Sequence, residues 1–229
     1  MTAGQDTDAL VRGYLAAKRD IFERGFVDEV IWQSNVGTSR VTIRRFTSEA
    51  AWVVLCTGMR ESVVRGLFSQ MSDALRGFDP VALDRYSAEA REGALRVFAH
   101  ERKVDAILQI ASIARSMGAA GLREALREPE SFLRSLPYIG PVTWRHLAKN
   151  LGSDVAKADR HLARLAEATG RCSVDALCGE IAGWLGEPAA VVDIVLWRWS
   201  VLHAGRCRSR CHCLRSFSSE SLRVGATLA

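Results

Sequence analysis

Apolar residues recur along most of this chain at intervals of three and four, which is the spacing of amphipathic helices. The alternating pattern that is typical of strands is almost absent. The predicted helices are Leu10–Phe26, Glu49–Thr57, Ser62–Leu75, Pro80–Asp84, Ala88–Ala99, Val104–Met117, Gly121–Leu126, Pro129–Ser135, Pro141–Leu151, Arg160–Thr169, Ser173–Leu177 and Ala189–His203. Only Val41–Phe46 alternates enough to predict a short extended link. We therefore expect an all-α protein with short connections.

One segment interrupts the helical spacing with a tight turn. It reads Leu136-Pro-Tyr-Ile-Gly140, and its proline and glycine exclude a continuous helix. Helical spacing resumes on both sides, so the sequence predicts two short helices joined by a hairpin within about 129–151. Such a hairpin can turn successive backbone N–H groups outward, with the N-terminus of the next helix behind them. This arrangement is suited to binding one phosphate.

A second motif, Asp159-Arg-His-Leu-Ala-Arg164, begins nineteen residues after Gly140. With the hairpin and an intervening loop that contains Gly152, it resembles the helix-hairpin-helix DNA glycosylase superfamily. The pattern of that superfamily is L-P-x-[IV]-G, a helix, a glycine-containing loop and D-x-H-[ILV]-x-R, and this chain fills every position. The turn alone occurs in many ligases and polymerases, whereas the two motifs at this spacing are much more specific. The direct match spans roughly 120–170.

The resemblance implies a bilobal, endonuclease III-like helical fold with a DNA cleft between its lobes. One lobe is expected to comprise about 46–165 and to contain the hairpin. The other is expected to combine 1–45 with 166–205, because the helices near both termini are apolar on one face. Residues 206–229 are rich in Ser, Arg and Cys and are predicted to form a flexible basic tail.

The chemistry implied by the resemblance is hydrolysis of the N-glycosidic bond of a modified base in DNA. Breaking that bond builds positive charge on the sugar, and Asp159 is the candidate catalytic carboxylate. It is also well placed to cap the helix that follows, and both roles are compatible. Val142 occupies the position of the Schiff-base lysine of bifunctional relatives, so we expect no lyase activity. Lys157 remains a candidate nucleophile or phosphate contact, whereas Lys149 lies about 10 Å further along the helix from Val142.

Further contacts to DNA are assigned by the same resemblance. The expected DNA-binding residues are Leu136, Tyr138, Ile139, Gly140, Val142, Thr143 and His161. A flipped base leaves a hole in the duplex, and Met59 or Arg60 is the candidate wedge, since Gly58 stands where several relatives carry glutamine. Trp52 and Trp144 are candidates for the base pocket, with Trp197 and Trp199 as further aromatic candidates. The alternatives are a plain helix–helix turn at the wedge, an interior histidine at 161 and tryptophans that pack in the core.

Charge and cysteine content refine this interpretation. The net charge is +5, but residues from His203 onward carry five arginines and one glutamate, +4 in total, which leaves +1 for residues 1–202. Any DNA grip there must therefore be local. The cysteines do not follow the C-x6-C-x2-C-x5-C pattern of iron–sulfur relatives. His203, Cys207, Cys211 and Cys213 could form a zinc set, but free thiols are favoured, and we expect neither metal nor cofactor.

A chain of 229 residues can bury one substantial core or two small ones. It contains no long apolar run and no signal-peptide pattern, so we expect an intracellular monomer without membrane contact, located with the nucleoid if bacterial. The expected partner is double-stranded DNA that contains a modified base. Two alternatives remain open: an inert DNA-binding protein on this scaffold, or a divergent enzyme that acts on hypermodified, phage-type bases.

Overall fold

The computed structural model describes residues 3–37 and 41–203, and within them the regular structure is all helical. The helices are α1 (Ala3–Glu23), α2 (Val27–Asn35), α3 (Ile43–Cys56), α4 (Glu61–Ala74), α5 (Pro80–Arg85), α6 (Ser87–Val97), α7 (Glu101–Ala125), α8 (Pro129–Ser135), α9 (Thr143–Asn150), α10 (Arg160–Ala168), α11 (Val174–Leu185) and α12 (Ala189–His203). The all-α prediction is therefore confirmed. No helix in the described ranges is long and apolar enough to cross a membrane.

The chain divides into two compact units. Among the described residues, the terminal unit comprises 3–36 and 154–203, and the central unit comprises 37 and 41–153. The division falls before Asp154, whereas the sequence placed it after residue 165. The segment joins the terminal unit because Ala156, Leu162 and Leu165 are all buried in that unit's core. Asp159 therefore belongs to the terminal unit.

The terminal unit is built around α12. Its sequence is apolar on nearly every side, and α1, α2, α10 and α11 all pack against it. Tyr14 of α1 is fully buried, and its hydroxyl donates a 2.5 Å hydrogen bond to Glu187. Arg198 of α12 forms a two-bond ion pair with Glu29 of α2, at 2.7 and 2.8 Å. A helix that is apolar all round is expected at the centre of such a bundle.

The central unit is built around the pair α3 and α7. Phe46, Val54 and Leu55 of α3 and Ile107 and Ile110 of α7 are all 1 % exposed or less. α4, α5, α6 and α9 pack against this pair, and α8 packs against α9. Because α3 and α9 pack together, the core fixes the helix that follows the hairpin.

Two local predictions differ from the structure, and a third agrees with it. Residues Ile43–Phe46 begin α3 instead of forming an extended link, because the Thr42 hydroxyl caps the helix by accepting the Arg45 N–H at 3.1 Å. α2 was not predicted, since its nine residues carry a weak pattern. The separation predicted between helices at 104–117 and 121–126 is present as a break within α7 at Gly118, whose φ of 68° is not helical.

Candidate functional site

The hairpin of the central unit is a tight turn between α8 and α9. Ile139 N donates to Leu136 O at 3.2 Å, and Trp144 N donates to Gly140 O at 3.1 Å. The turn is closed at Tyr138, whose φ is 65°, and not at Gly140. Tyrosine rarely adopts this left-handed conformation, so the turn holds it at a cost in free energy. Leu136 and Ile139 are 3 % and 4 % exposed and anchor the turn to the core.

The amides of the hairpin differ from the sequence-based expectation. Gly140 N donates to the Thr143 hydroxyl at 2.6 Å, so this amide is used inside the turn and does not point outward. Thr143 is the first residue of α9, where its side chain can fold back on the turn. Among the acceptors of the described chain, none receives the N–H of Tyr138 or Val142. These two amides are the better candidates for an anion.

The candidate wedge lies at the C-terminal end of α3. Gly58 has a φ of 71°, and Met59 N donates to Cys56 O at 3.1 Å, so the chain turns sharply after the helix. Met59 is 36 % exposed, and Arg60 is exposed. An apolar and a basic side chain therefore stand together on the surface of the central unit, as a wedge requires.

Lys103 of α7 holds the C-terminal end of α3 in place. Its side chain is buried, 3 % exposed, and Nζ donates to Leu55 O at 2.8 Å and to Thr57 O at 2.7 Å. Those carbonyls belong to the helix end that lacks intrahelical partners, and an ammonium group satisfies both and offsets the helix dipole. Burial lowers the pKa of Lys103.

Aromatic contacts link Lys103 to the hairpin. Nζ lies 5.6 Å from the centre of the Phe98 ring, and Phe98 stacks on His100 at 5.9 Å. His100 meets the Tyr138 ring edge-on at 6.2 Å. The wedge turn and the hairpin are thus supported by one continuous set of side chains within the central unit.

Trp52 and Trp144, the candidate pocket residues, pack within the same unit. Trp144 is 6 % exposed and is covered by Arg145, at 5.2 Å from the ring centre. Trp52 is half-buried, meets Phe68 edge-on at 5.2 Å and carries Arg65 at 5.7 Å. The contacts of Trp144 are those of a core residue, and Trp52 is the one with accessible surface.

In the terminal unit, Asp159 is the N-cap of α10. Its Oδ1 accepts the N–H of His161 at 2.8 Å and of Leu162 at 3.1 Å. Its Oδ2 lies 3.9 Å from Lys157 Nζ, and the two side chains are 14 % and 20 % exposed. One oxygen therefore caps the helix, as the sequence predicted, while the other remains beside an ammonium group at a partly open position.

The loop before Asp159 is held by α12. Asp193, 1 % exposed, accepts the Lys157 N–H at 2.6 Å, and Asp154 accepts the Ala190 N–H at 2.9 Å. Two carboxylates thus fasten Asp154–Lys157 to the central helix of the unit. Both contacts were missed from the sequence. Asp193 could have been found, because it is the one acidic residue in the apolar stretch Ala189–Trp197.

The other residues of the second motif lie at the start of α10. His161 is half-buried, and burial lowers its pKa against the opposing attraction of Asp159. Arg160 Nε donates to His161 Nε2 at 3.4 Å, which agrees with a neutral ring whose Nε2 accepts a hydrogen bond. Arg164 is exposed. Its side chain therefore faces solvent on the described surface of the terminal unit.

The three positions considered for an amine nucleophile, 142, 149 and 157, lie in different environments. Val142 is 39 % exposed, so the position matching the lyase lysine is accessible but carries no amine. Lys149 is 4 % exposed and lies in the core of the central unit. Lys157 is thus the accessible amine among the two lysines considered from the sequence.

Metal chemistry gains no support from the described residues. No group of three or more His, Cys, Asp or Glu side chains within 3–37 and 41–203 is arranged to hold a metal ion. Cys56, Cys172 and Cys178 form no disulfide bond among the described residues. The zinc set weighed from the sequence includes Cys207, Cys211 and Cys213, which lie outside the described residues, as does the predicted tail.

Comparison of the chain with protein-family models, with curated proteins and with solved structures found no match. Function must therefore be inferred from the residues and from their geometry.

Proposed function

We propose that this protein is a monofunctional DNA glycosylase of the helix-hairpin-helix type, which hydrolyses the N-glycosidic bond of a modified base. The observation that carries the proposal is the state of Asp159. One carboxylate oxygen is used by the α10 cap and the other stands beside Lys157 Nζ at 3.9 Å. A carboxylate fixed in this way can oppose the positive charge that develops on the sugar.

The hairpin supports the proposal as a phosphate grip. Tyr138 N and Val142 N have no acceptor among the described residues, and α9 starts directly behind them. Backbone amides that bind phosphate carry no base specificity, so this contact would position any duplex equally. The exposed Met59 and Arg60 are the proposed wedge that fills the space left by a flipped base.

Hydrolysis by water is proposed in preference to lyase chemistry. Val142 provides no nucleophile, and Lys149 is buried. Lys157 is proposed to place its charge near Asp159 and the DNA backbone, not to attack the sugar. Borohydride reduction tests this point, because a Schiff base would be trapped as a covalent protein–DNA adduct. We expect no adduct; an adduct that disappears in Lys157→Ala but persists in Lys149→Ala would make Lys157 the nucleophile.

The activity is tested with a panel of duplexes, each carrying one modified base. The panel contains an alkylated purine, oxidised guanine, uracil, hypoxanthine and hypermodified pyrimidines. We expect abasic sites in at least one duplex, with strand breaks only after alkali or heat. Binding of these duplexes without any base loss would instead support an inert DNA-binding protein.

A further inference from the structure

Three consecutive residues of the central unit adopt left-handed backbone conformations. The φ values of Arg76, Gly77 and Phe78 are 55°, 60° and 60°. The conformation costs free energy at the two non-glycine positions and persists only where neighbouring contacts enforce it. Arg44 makes such a contact, since its Nε donates to Gly77 O at 2.7 Å. The turn therefore packs Gly77, the residue that follows Arg76, against the guanidinium of Arg44.

Tyr86 brings a third guanidinium to this position. Tyr86 is 38 % exposed, and the Cζ atoms of Arg76 and Arg85 lie 5.4 and 5.3 Å from the centre of its ring. Cation–π attraction holds each arginine at the ring, but the two positive groups repel each other. An anion bound by both would remove that repulsion.

Two carboxylates of this region are already engaged. Asp79 caps α5 by accepting the N–H groups of Val81 and Ala82, and Asp84 pairs with Arg115 at 2.9 Å. Across the part of the chain that the structure describes, Arg44, Arg76 and Arg85 form no ion pair. The cluster thus carries three positive charges that the fold does not neutralise.

We propose that Arg44, Arg76, Arg85 and Tyr86 form a second phosphate-binding site, which takes the sugar–phosphate backbone of nucleic acid. A planar guanidinium group can donate two hydrogen bonds to the oxygens of one phosphate. All four side chains are exposed, so an extended sugar–phosphate backbone can reach them. The ring offers a further surface to a sugar or a base. The inference rests on the proposed function only in taking DNA as the partner.

This site is separate from the hairpin. Arg44 lies in the first turn of α3, whereas the wedge turn follows the last residue of that helix, Cys56. Twelve residues of helix separate the two, which is about 18 Å. The hairpin is linked to the C-terminal end of α3, where the wedge turn lies, by the successive contacts of Tyr138, His100, Phe98 and Lys103. The cluster would thus hold DNA some distance from the flipped base.

The test measures the affinity of an unmodified duplex as a function of salt concentration, by fluorescence anisotropy. Removal of one bound phosphate from the complex reduces the slope of log K against log salt by about 0.9. We expect Arg76→Gln/Arg85→Gln to reduce the slope by about 1 to 2 and the affinity at low salt by about tenfold. The control Arg91→Gln/Arg96→Gln removes the same charge from arginines paired with Asp105 and Glu92, and it should change affinity by less than about twofold.

A second variant separates binding from folding. Arg76→Gly removes the guanidinium and relieves the left-handed strain. We expect a melting temperature equal to or above that of the wild type, together with weaker DNA binding. Tyr86→Phe keeps the ring and should bind as the wild type does. Unchanged binding by Arg76→Gly would overturn the proposal.

The remaining outcomes distinguish the source of the phosphate and the fate of the proposed function. If inorganic phosphate raises the melting temperature of the wild type but not of the double variant, and DNA binding matches the control, the site takes free phosphate and the inference is wrong. Wild-type protein that binds no duplex also overturns it. If the variants behave as expected but no base is ever excised, this inference stands and the glycosylase proposal fails.

Discussion

Replacement of Lys103 by methionine tests how the end of α3 is held. Methionine has nearly the same length and fills the buried space, but it cannot donate to the carbonyls of Leu55 and Thr57. A hydrogen bond from a charged donor contributes about 1.5–3 kcal/mol, and the cost of burying the ammonium offsets part of this. With two bonds removed and two carbonyls left unpaired, we expect a net loss of about 2 kcal/mol.

The loss is measured by urea unfolding and by thermal melting. For a chain of this size, about 2 kcal/mol corresponds to a decrease in melting temperature of about 4–8 °C. The matched control is Lys149→Met, which changes a second buried lysine of the same unit in the same way. Hydrogen exchange of the Met59 amide should accelerate in Lys103→Met but not in the control. A melting temperature within about 1 °C of the wild type would refute the reasoning.

The pH dependence gives a second check on Lys103. Burial lowers the pKa of this lysine below its ordinary value of 10.5, so the unfolded chain binds the proton more readily. Stability therefore rises as pH increases from the lowered pKa towards 10.5. The wild type should gain stability relative to Lys103→Met across that alkaline range. A gain for Lys103→Met would contradict the assignment.

Three further predictions concern the loop, the histidine and the hairpin. Asp193→Ala, which frees the Lys157 amide, should slow base excision by about tenfold or more while undamaged DNA still binds, whereas equal loss of both would indicate misfolding. The His161 ring should titrate below 6.5 by NMR, and the wild type should lose stability relative to His161→Gln as pH falls through 6.5 to the lowered pKa. Tyr138→Gly should relieve about 1 kcal/mol of backbone strain, so a double variant with His100→Ala, which removes the ring contact first, should melt above His100→Ala alone.

The helical architecture was predictable because apolar spacing reports directly which face of each segment is buried. α3 shows the limit of this approach: the run Val41–Phe46 alternates, yet the Thr42 cap starts a helix there. The pattern could not reveal the cap, because one hydroxyl is a weaker signal than six alternating positions. The sequence also did not show which residue of the hairpin is left-handed. Glycine is the residue type that favours this conformation, but Tyr138 adopts it and Gly140 does not.

Local sequence patterns predicted only part of the candidate site. The capping role of Asp159 was predictable, because an aspartate directly before a helical pattern has one dominant local role. Lys103 was not found, although it precedes Ile107 and Ile110 at helical spacing and thus lies on the buried stripe of α7. Asp193 was not found because its partner, the Lys157 amide, is 36 residues away in sequence. Contacts of that range depend on tertiary packing, which local patterns do not encode.

The measurement that tests the central claim most directly is base excision by Asp159→Asn, on whichever duplex of the panel the wild type acts on. The amide keeps an oxygen for the N–H groups of His161 and Leu162, so α10 remains capped and the melting temperature should stay close to that of the wild type. The amide carries no charge, and single-turnover excision should fall by about two orders of magnitude or more while DNA affinity stays equal or rises. Excision at the wild-type rate by the folded variant would contradict the account.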